Sequence, residues 1–420
     1  MIPELRSRFN RDYSPERYAD LLACLERHCG VPVEFRVAET PIFVPRELLD
    51  QMAEAGAEMC AALMGDPAYI RAARRAIPKG YCVAGEPSHP HFLTADFALI
   101  RSSSGKLEPR LVEIQGFPSV YAYQAVLSQT YREVFQLDPA LGAFLSGLDE
   151  AGYWSLLGRT VLGGQDPQTV VLTEVDPRRQ KTLADFEVTA RRLGIAVVDI
   201  ASLEAEGDRL HYRTASGIRV PIRRVYNRAI ADEVMTRHIR LPFDLEQPWN
   251  VEWAGHPNWY FLISKFSLPW LTRAGQAGRL VPPAVFLDEF LLGDGRRRLA
   301  QAGVELPQSG PDAVYHDLLL KPLFSFAGKG IRFDPTQAEL EAIAPAERSG
   351  YLLQQRMSFV PTIETPFGLT QAEIRILYLW PDRGTLTPAL SLVRLGRGKM
   401  MGVDHNRNQE WVGGSAAFFR

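Results

Sequence analysis

The sequence predicts a mixed α+β and α/β chain, and three stretches carry that expectation. "TVVLTEVDP", "QKTLADFEVTARRLG" and "IAVVDI" follow one another as strand, helix and strand, a βαβ unit that implies a parallel sheet. "HFLTADFALIRSSSGKLEPRLVEIQGFPS" reads as two strands joined by a Ser/Gly turn. "QAEIRILYLW" and "PALSLVRLGRGKMMGV" alternate basic and apolar residues, the period of strands.

In chain order, residues 14–75 are mostly helical. "SPERYADLLACLERHCG" has a serine cap, a proline at the first helical position and a closing glycine, and "PRELLDQMAEAGAEMCAALMG" repeats that design. The hairpin follows, then a helical segment over about 121–160. The βαβ unit comes next, with further strands in "GDRLHYRTASGIRVPIRRVYNRA". "HPNWYFLISKFSLPWLTRAG" contains a helix that includes Lys265. "AVYHDLLLKPLFSFAGKGIRFDP" is an apolar strand, a glycine-containing turn and another strand, and "GYLLQQRMSF" is a strand that ends in polar residues. At 420 residues the chain exceeds one ordinary core. The expected division is a helical region over 1–75, a hairpin with flanking helices over 76–160, a small α/β domain over 161–235, and the remainder over 236–420.

Composition excludes several classes. An apolar fraction of 46% with 23% charged residues is ordinary for a globular protein. A net charge of −2 does not supply the basic field of a nucleic-acid groove. No long uncharged apolar run offers a membrane span, and the charged N-terminus is no signal peptide. Four cysteines in so long a chain make no disulfide framework. Cys24 and Cys29 lie in a helical pattern and lack a partner pair with metal-site spacing, so buried free thiols and a cytoplasmic protein are expected.

The chemistry-bearing residues come in four groups. Glu113 and Gln115 lie two apart on one strand, so both emerge from the same sheet face, directly before Gly116, Phe117 and Pro118. Asp96 is on the other strand of that hairpin. Three oxygen ligands on neighbouring strands suit Mg²⁺; a solvated edge hairpin is the alternative. In "LLLKPLFSFAGKGI" a buried strand delivers Lys321, and Gly328 and Gly330 let backbone N–H groups approach an anion, with phosphate the natural guest. The lysine precedes the glycines, so this is not a P-loop, and an ordinary hairpin with a snorkelling lysine reads the same way. Gln354, Gln355 and Met357 end a strand whose backbone groups and thioether suit an adenine, and Glu364 suits ribose hydroxyls; a plain edge strand and a solvated loop are their alternatives. Arg375, Arg394 and Arg397 stand on strands in apolar surroundings, which is costly unless they are paired. They pair with Glu373 and Asp404, or they hold a triphosphate, a carboxylate or the charge of a transition state. His89, His91, His256 and His405 are read as structural, with a general base as the alternative for any of them. Arg223, Arg224, Tyr226, Asn227 and Arg228 would suit an acidic or peptide-like substrate, or form a surface strand with solvated arginines.

As a set, these motifs resemble the ATP-grasp superfamily, and their order along the chain is similar to that of glutathionylspermidine synthase and eukaryotic glutathione synthetase. In those enzymes the metal-binding Glu-x-Asn strand comes early and the nucleotide lysines late, as in a circular permutation of common ATP-grasp ligases. The resemblance covers scattered motifs between about 90 and 415. It implies metal-ligand roles for Asp96, Glu113 and Gln115 and phosphate-binding roles for Lys265 and Lys321. It implies a phosphate loop at Ser325, Phe326, Ala327, Gly328, Lys329 and Gly330, and an adenine hinge at Gln354, Gln355 and Met357, with Glu364 beyond it. The implied activity is ligation of a carboxylate to an amine through an acyl phosphate, using ATP and one or two Mg²⁺ ions, with Arg375, Arg394 or Arg397 neutralising developing charge. A kinase-like phosphotransferase and an inactive ATP-binding protein are the alternatives. The implied partners are small-molecule or peptide-like carboxylates and amines, with no nucleic acid and no membrane. Three features depart from the family: Gln115 stands for the usual asparagine, Phe326-Ala327 for the usual Arg-Glu, and no amidase-type domain is visible.

Overall fold

A computed structural model describes residues 1–102, 105–276, 280–308, 310–325, 328, 330–398, 401 and 408–420. Its centre is an antiparallel sheet with strand order Gly413–Ser415, Thr387–Gly396, Gly368–Leu379, Phe92–Arg101, Leu107–Gln115, and Ile363–Thr365 folded back on Gly368–Leu379. The hairpin Phe92–Arg101/Leu107–Gln115 forms as its alternation requires. Pro109, which donates no hydrogen bond, is tolerated because Leu107–Gln115 is an edge strand of this sheet. Its free edge is covered: the Leu111 and Gly116 amides donate to the carbonyls of Leu280 (2.6 Å) and Ile263 (2.7 Å).

Period-2 alternation divides this sheet into two unlike faces. Ala95, Phe97, Ile374, Ile376, Tyr378, Val393 and Leu395 face one core, under the helix Arg46–Met64. Gly56 of that helix lies against Tyr378, and a Cβ there would stand 2.1 Å from the phenol oxygen, so only glycine allows the approach. On the other face Leu377, Leu379, Leu390 and Leu392 pack beneath the helix Tyr121–Val134, and charged residues continue the same face. Gln124 of that helix donates to the carbonyls of Ser391 (3.1 Å) and Ser415 (3.0 Å), tying it across two strands.

A second antiparallel sheet has the order Ala284–Phe286, Tyr351–Gln355, Leu318–Pro322, Arg332–Phe333 and its own small core. A third sheet is parallel: Glu252–Ala254, Arg224–Asn227, Val170–Glu174, Ala196–Asp199, with the helix Leu183–Leu193 in the crossover, as the βαβ pattern predicts. The strand Ile42–Val44 pairs in parallel with Ala417–Phe419, joining the first residues to the last.

Some expectations need correction. The helix Pro15–Cys29 has its serine cap and a left-handed Gly30, but Arg46–Met64 does not repeat the design: Pro45 precedes it without a side-chain cap, and Gly65 stays right-handed at φ −75°. The segment 121–160 is two helices, Tyr121–Val134 and Glu150–Leu162. Lys265 lies in a turn between Pro257–Leu262 and Ser267–Leu271, because Pro269, which has no N–H, could not donate to the Lys265 carbonyl in one continuous helix. All four cysteines are free and three are buried, but Cys82 is exposed. No helix among the described residues is long and apolar enough to cross a membrane.

Candidate active site

The charged face of the central sheet is built by register. Asp96 lies opposite Arg375 on one side and Glu113 on the other, and Glu373 lies opposite Arg394. A β-bulge between Asp96 and Phe97 makes the arrangement possible. Leu111 pairs with Phe97 and joins the apolar core, whereas Glu113, two residues on, pairs with Asp96 on the charged face. In a regular strand residues 111 and 113 share a face; the extra residue re-aims one of them. Glu113 and Gln115, both beyond the bulge, do share a face: the Gln115 amide donates to a Glu113 carboxylate oxygen at 2.9 Å.

Asp96 is 1% exposed. One carboxylate oxygen accepts from Arg375 Nε (2.5 Å), and the other from Arg375 Nη2 (2.6 Å) and Arg394 Nη1 (3.1 Å). Burial alone would raise its pKa, but the two arginines hold the carboxyl below the usual range. Arg394 also pairs with Glu373, as the sequence allowed; burial pushes the Glu373 carboxyl up by more than Arg394 pulls it down. Asp404, the other expected partner, lies outside the described residues, as does His405. Asp96, expected as a metal ligand, therefore has both oxygens engaged by guanidinium groups. Arg375 donates in addition to Ser119 Oγ (3.1 Å), in the turn after Gln115, a contact that sequence spacing did not indicate.

Glu113 is held loosely by comparison. Its oxygens lie 3.5 Å from Lys265 Nζ and 3.9 Å from Arg375 Nη2. Lys265 also donates to the carbonyl of Ser325, at the entrance to the expected phosphate loop. Lys321 comes from the second sheet and donates to Gln354 Oε1 at 2.6 Å. Burial pushes its ammonium down to about 8, with Glu113 opposing the shift and Lys265 adding to it. The Gln354 amide nitrogen and the Ser325 hydroxyl are buried with no hydrogen-bond partner among the described residues. Two buried lysines, an orphan amide donor and an orphan hydroxyl thus line the space between two antiparallel sheets. Such a set suits an acceptor-rich anion.

The other expected site residues divide. Gly328 and Gly330 have φ of 74° and 79°, the left-handed conformation that their loop role requires; Phe326, Ala327 and Lys329 lie outside the described residues. The hinge strand differs from expectation, because Tyr351–Gln355 is paired on both sides, by Ala284–Phe286 and by Leu318–Pro322. The Gln355 amide donates to the Pro283 carbonyl (2.8 Å), so the orphan donor here is the Gln354 side chain, not exposed backbone. Met357 is half-buried just beyond that strand. Glu364 is exposed, and its carbonyl accepts from Asn10 (3.1 Å); no contact joins it to the lysines. Arg397 donates to Thr365 Oγ1 at 3.1 Å.

In "IRRVYNRA" neither sequence reading holds for two of the arginines. Arg224 is buried against the carbonyls of Val161 and Thr160, Glu252 and Asp382, and Arg228 is buried against Asp185. Both are consumed inside the domain; Arg223 alone of the three is exposed. His91 pairs with Asp382 (2.7 Å), and His256 accepts from the Asn258 amide (3.2 Å), its pKa pushed down to about 4 by burial.

Gly116 fixes how the strand end meets the lysine-bearing turn. A Cβ there would stand 2.7 Å from the Trp259 carbonyl oxygen and 3.2 Å from Ile263 Cβ. Gly116→Ala is expected to destabilise the protein by about 1–3 kcal/mol through overpacking. Urea unfolding checks it; an unchanged midpoint would mean the turn moves aside freely.

No protein-family model and no curated protein matches the chain. Among solved structures, a glutathione synthetase like-effector from Globodera pallida, in its apo form, matches with a TM-score of 0.55 at 12% identity, over 96% of this chain and 96% of that one. At that identity the likeness speaks for the fold alone. Along nearly its whole length, this chain has the mixed α/β fold of a glutathione synthetase like-effector, in agreement with the resemblance drawn from its motifs.

Proposed function

We propose that this protein is an ATP- and Mg²⁺-dependent carboxylate–amine ligase of the ATP-grasp type, with the motif order of glutathionylspermidine synthase and eukaryotic glutathione synthetase. The observation that carries the reading is the meeting of Lys265 and Lys321 with Glu113 between two antiparallel sheets, with the Gln354 and Ser325 donors orphaned beside them. Glu113 and Gln115 offer an all-oxygen pair, which fits Mg²⁺, a cation that commonly takes one or two protein carboxylates and completes its shell with water and phosphate. The loose 3.5 and 3.9 Å ion pairs leave the Glu113 carboxylate free to turn to a cation. These residues would hold Mg²⁺, which when bound would supply charge neutralisation at the nucleotide phosphates.

The residues of the chain then have separate tasks. Lys265 and Lys321 bind phosphate oxygens, and Gln354 gives its amide hydrogens to the nucleotide. Arg375 is positioned by Asp96 and Ser119 and faces the region where the substrate carboxylate approaches, so its charge costs no reorganisation in the transition state. A carboxylate oxygen attacks the γ-phosphorus, the bond to the β–γ bridging oxygen breaks, and ADP leaves with the electron pair. The amine nitrogen then attacks the acyl carbon, phosphate departs, and the nitrogen loses a proton. Arg394 supports this array through Glu373 and Asp96, and Arg397 lies near it beside Thr365. The substrates enter at the C-terminal ends of the parallel strands, where Gly255 lies between the Asn227 carbonyl and Pro118 in the turn after Gln115.

Calorimetry with a non-hydrolysable ATP analogue tests the reading. Binding is expected to be about 100- to 1,000-fold tighter with Mg²⁺ than without it. It also carries a pH signature: free Lys321 loses its proton above about 8, and bound phosphate favours the charged form. Affinity therefore falls as pH rises past that value, with proton uptake on binding, and Lys321→Met flattens the dependence. Equal binding with and without Mg²⁺, or none, overturns the assignment.

A further inference from the structure

The helix Pro15–Cys29 packs against the helix Tyr121–Val134, and three ligand-type side chains meet at the seam, toward the end of that helix opposite Ser119. Cys24 and His28 are four residues apart, so they share one helix face. Glu133 joins them from the second helix, 109 positions along the chain. The sulfur of Cys24 lies 3.8 Å from His28 Nε2 and 3.6 Å from Glu133 Oε1, and His28 Nε2 lies 3.6 Å from Glu133 Oε2.

We propose that Cys24, His28 and Glu133 form a site for a zinc-class divalent transition metal, unrelated to the Mg²⁺ reading above and clamping the two helices together. Thiolate, imidazole and carboxylate form a mixed S, N, O set of the kind zinc takes. Bonds of about 2.3 Å to sulfur and 2.0–2.1 Å to nitrogen or oxygen, at tetrahedral angles, place the donors about 3.3–3.6 Å from one another. Sulfur and Nε2 are 3.8 Å apart, and Glu133 reaches them with different oxygens, Oε1 to sulfur and Oε2 to the imidazole, each at 3.6 Å, so a turn of the carboxylate is needed to bring one oxygen to the common centre. Cys24 Sγ is also 3.9 Å from His28 Nδ1, so a modest rotation of the ring aims Nε2 at the common centre.

A second observation fixes the imidazole for this task. His28 Nδ1 lies 3.1 Å from Thr130 Oγ1, and the Thr130 hydroxyl gives its own hydrogen to the Val126 carbonyl at 2.7 Å. Thr130 is therefore the acceptor, Nδ1 carries the hydrogen, and Nε2 is the nitrogen left with a lone pair for a metal. This is the outer-shell arrangement that orients metal-binding histidines. Cys24 is 2% exposed, whereas the His28 and Glu133 side chains are 35% and 56% exposed, so water can reach the fourth position. Arg27, on the same helix, is the cation that bears on Cys24, while Arg191 on the neighbouring helix Leu183–Leu193 is turned to the carbonyls of His28 and Cys29. Metal binding releases the Cys24 thiol proton to solvent.

The test is Co²⁺ titration of the chelator-treated full-length protein. One equivalent is expected to bind with a near-ultraviolet sulfur-to-cobalt band and four-coordinate visible bands, and Zn²⁺ should displace it. Cys24→Ser should abolish the charge-transfer band. Thr130→Val, which touches no metal, should weaken binding roughly 10- to 100-fold. Cys82→Ser, at the exposed thiol, should change nothing. Far-UV circular dichroism and ATP-analogue binding check that each variant is folded; if Cys24→Ser is not, Thr130→Val and His28→Gln decide. Absence of stoichiometric binding, a band that survives Cys24→Ser or His28→Gln, or one that vanishes with Cys82→Ser would overturn the site.

Discussion

Asp96→Ala is expected to destabilise the protein by about 3–5 kcal/mol, the cost of leaving a buried charge without its partner. Here two cations lose it at once. Arg375 is left with Ser119 and a distant Glu113, and Arg394 with Glu373 alone. Urea unfolding would show a lower midpoint with little change in slope. Asp96→Asn keeps the shape and one acceptor, so it should cost less, yet leave Arg375 without its bidentate anchor. The measurement also separates two roles. A metal ligand at the mouth of a site contributes little to stability, whereas an anchor beneath the site contributes a great deal. If Asp96→Ala unfolds at the wild-type midpoint but loses Mg²⁺-dependent nucleotide binding, Asp96 is a ligand and not an anchor.

Glu113→Gln is expected to do the opposite. Its side chain is 17% exposed and its ion pairs are long, so stability should change by no more than about 1 kcal/mol, as for weak, partly solvated pairs. Mg²⁺-dependent binding of the ATP analogue should weaken by about 100- to 1,000-fold, equivalent to the several kcal/mol that a bound metal contributes at phosphate. Residual Mg²⁺-independent binding through Lys265 and Lys321 should survive. An unaltered magnesium dependence in Glu113→Gln would remove the strand end from the metal site altogether.

Local chemistry was legible in the sequence wherever it depends on near neighbours. The shared face of Glu113 and Gln115 follows from a two-residue period, and the parallel sheet follows from the strand–helix–strand pattern of 170–199. The left-handed Gly328 and Gly330 follow from the missing Cβ. The Glu373–Arg394 pair was readable too, because charges on strand faces in apolar surroundings need partners. The adenine hinge was not. "YLLQQ" looks the same at an edge or in the middle of a sheet, and only its neighbours show that both its sides are paired. The arginines of "IRRVYNRA" gave no sign that Asp185 and Asp382, far along the chain, would consume two of them.

By itself, then, the sequence determined which charged and polar residue types were available to a site and on which strands they would stand, because side-chain alternation and turn chemistry are short-range properties. Tertiary structure decided the rest. It set the bulge that sends Leu111 to the core and Glu113 to the charged face. It also turned Asp96 toward Arg375, brought Lys321 across from the second sheet, and delivered Glu133 to Cys24 and His28. Each of these depends on a partner tens to hundreds of residues away, and the burial that makes such pairings strong exists only once the layers have closed.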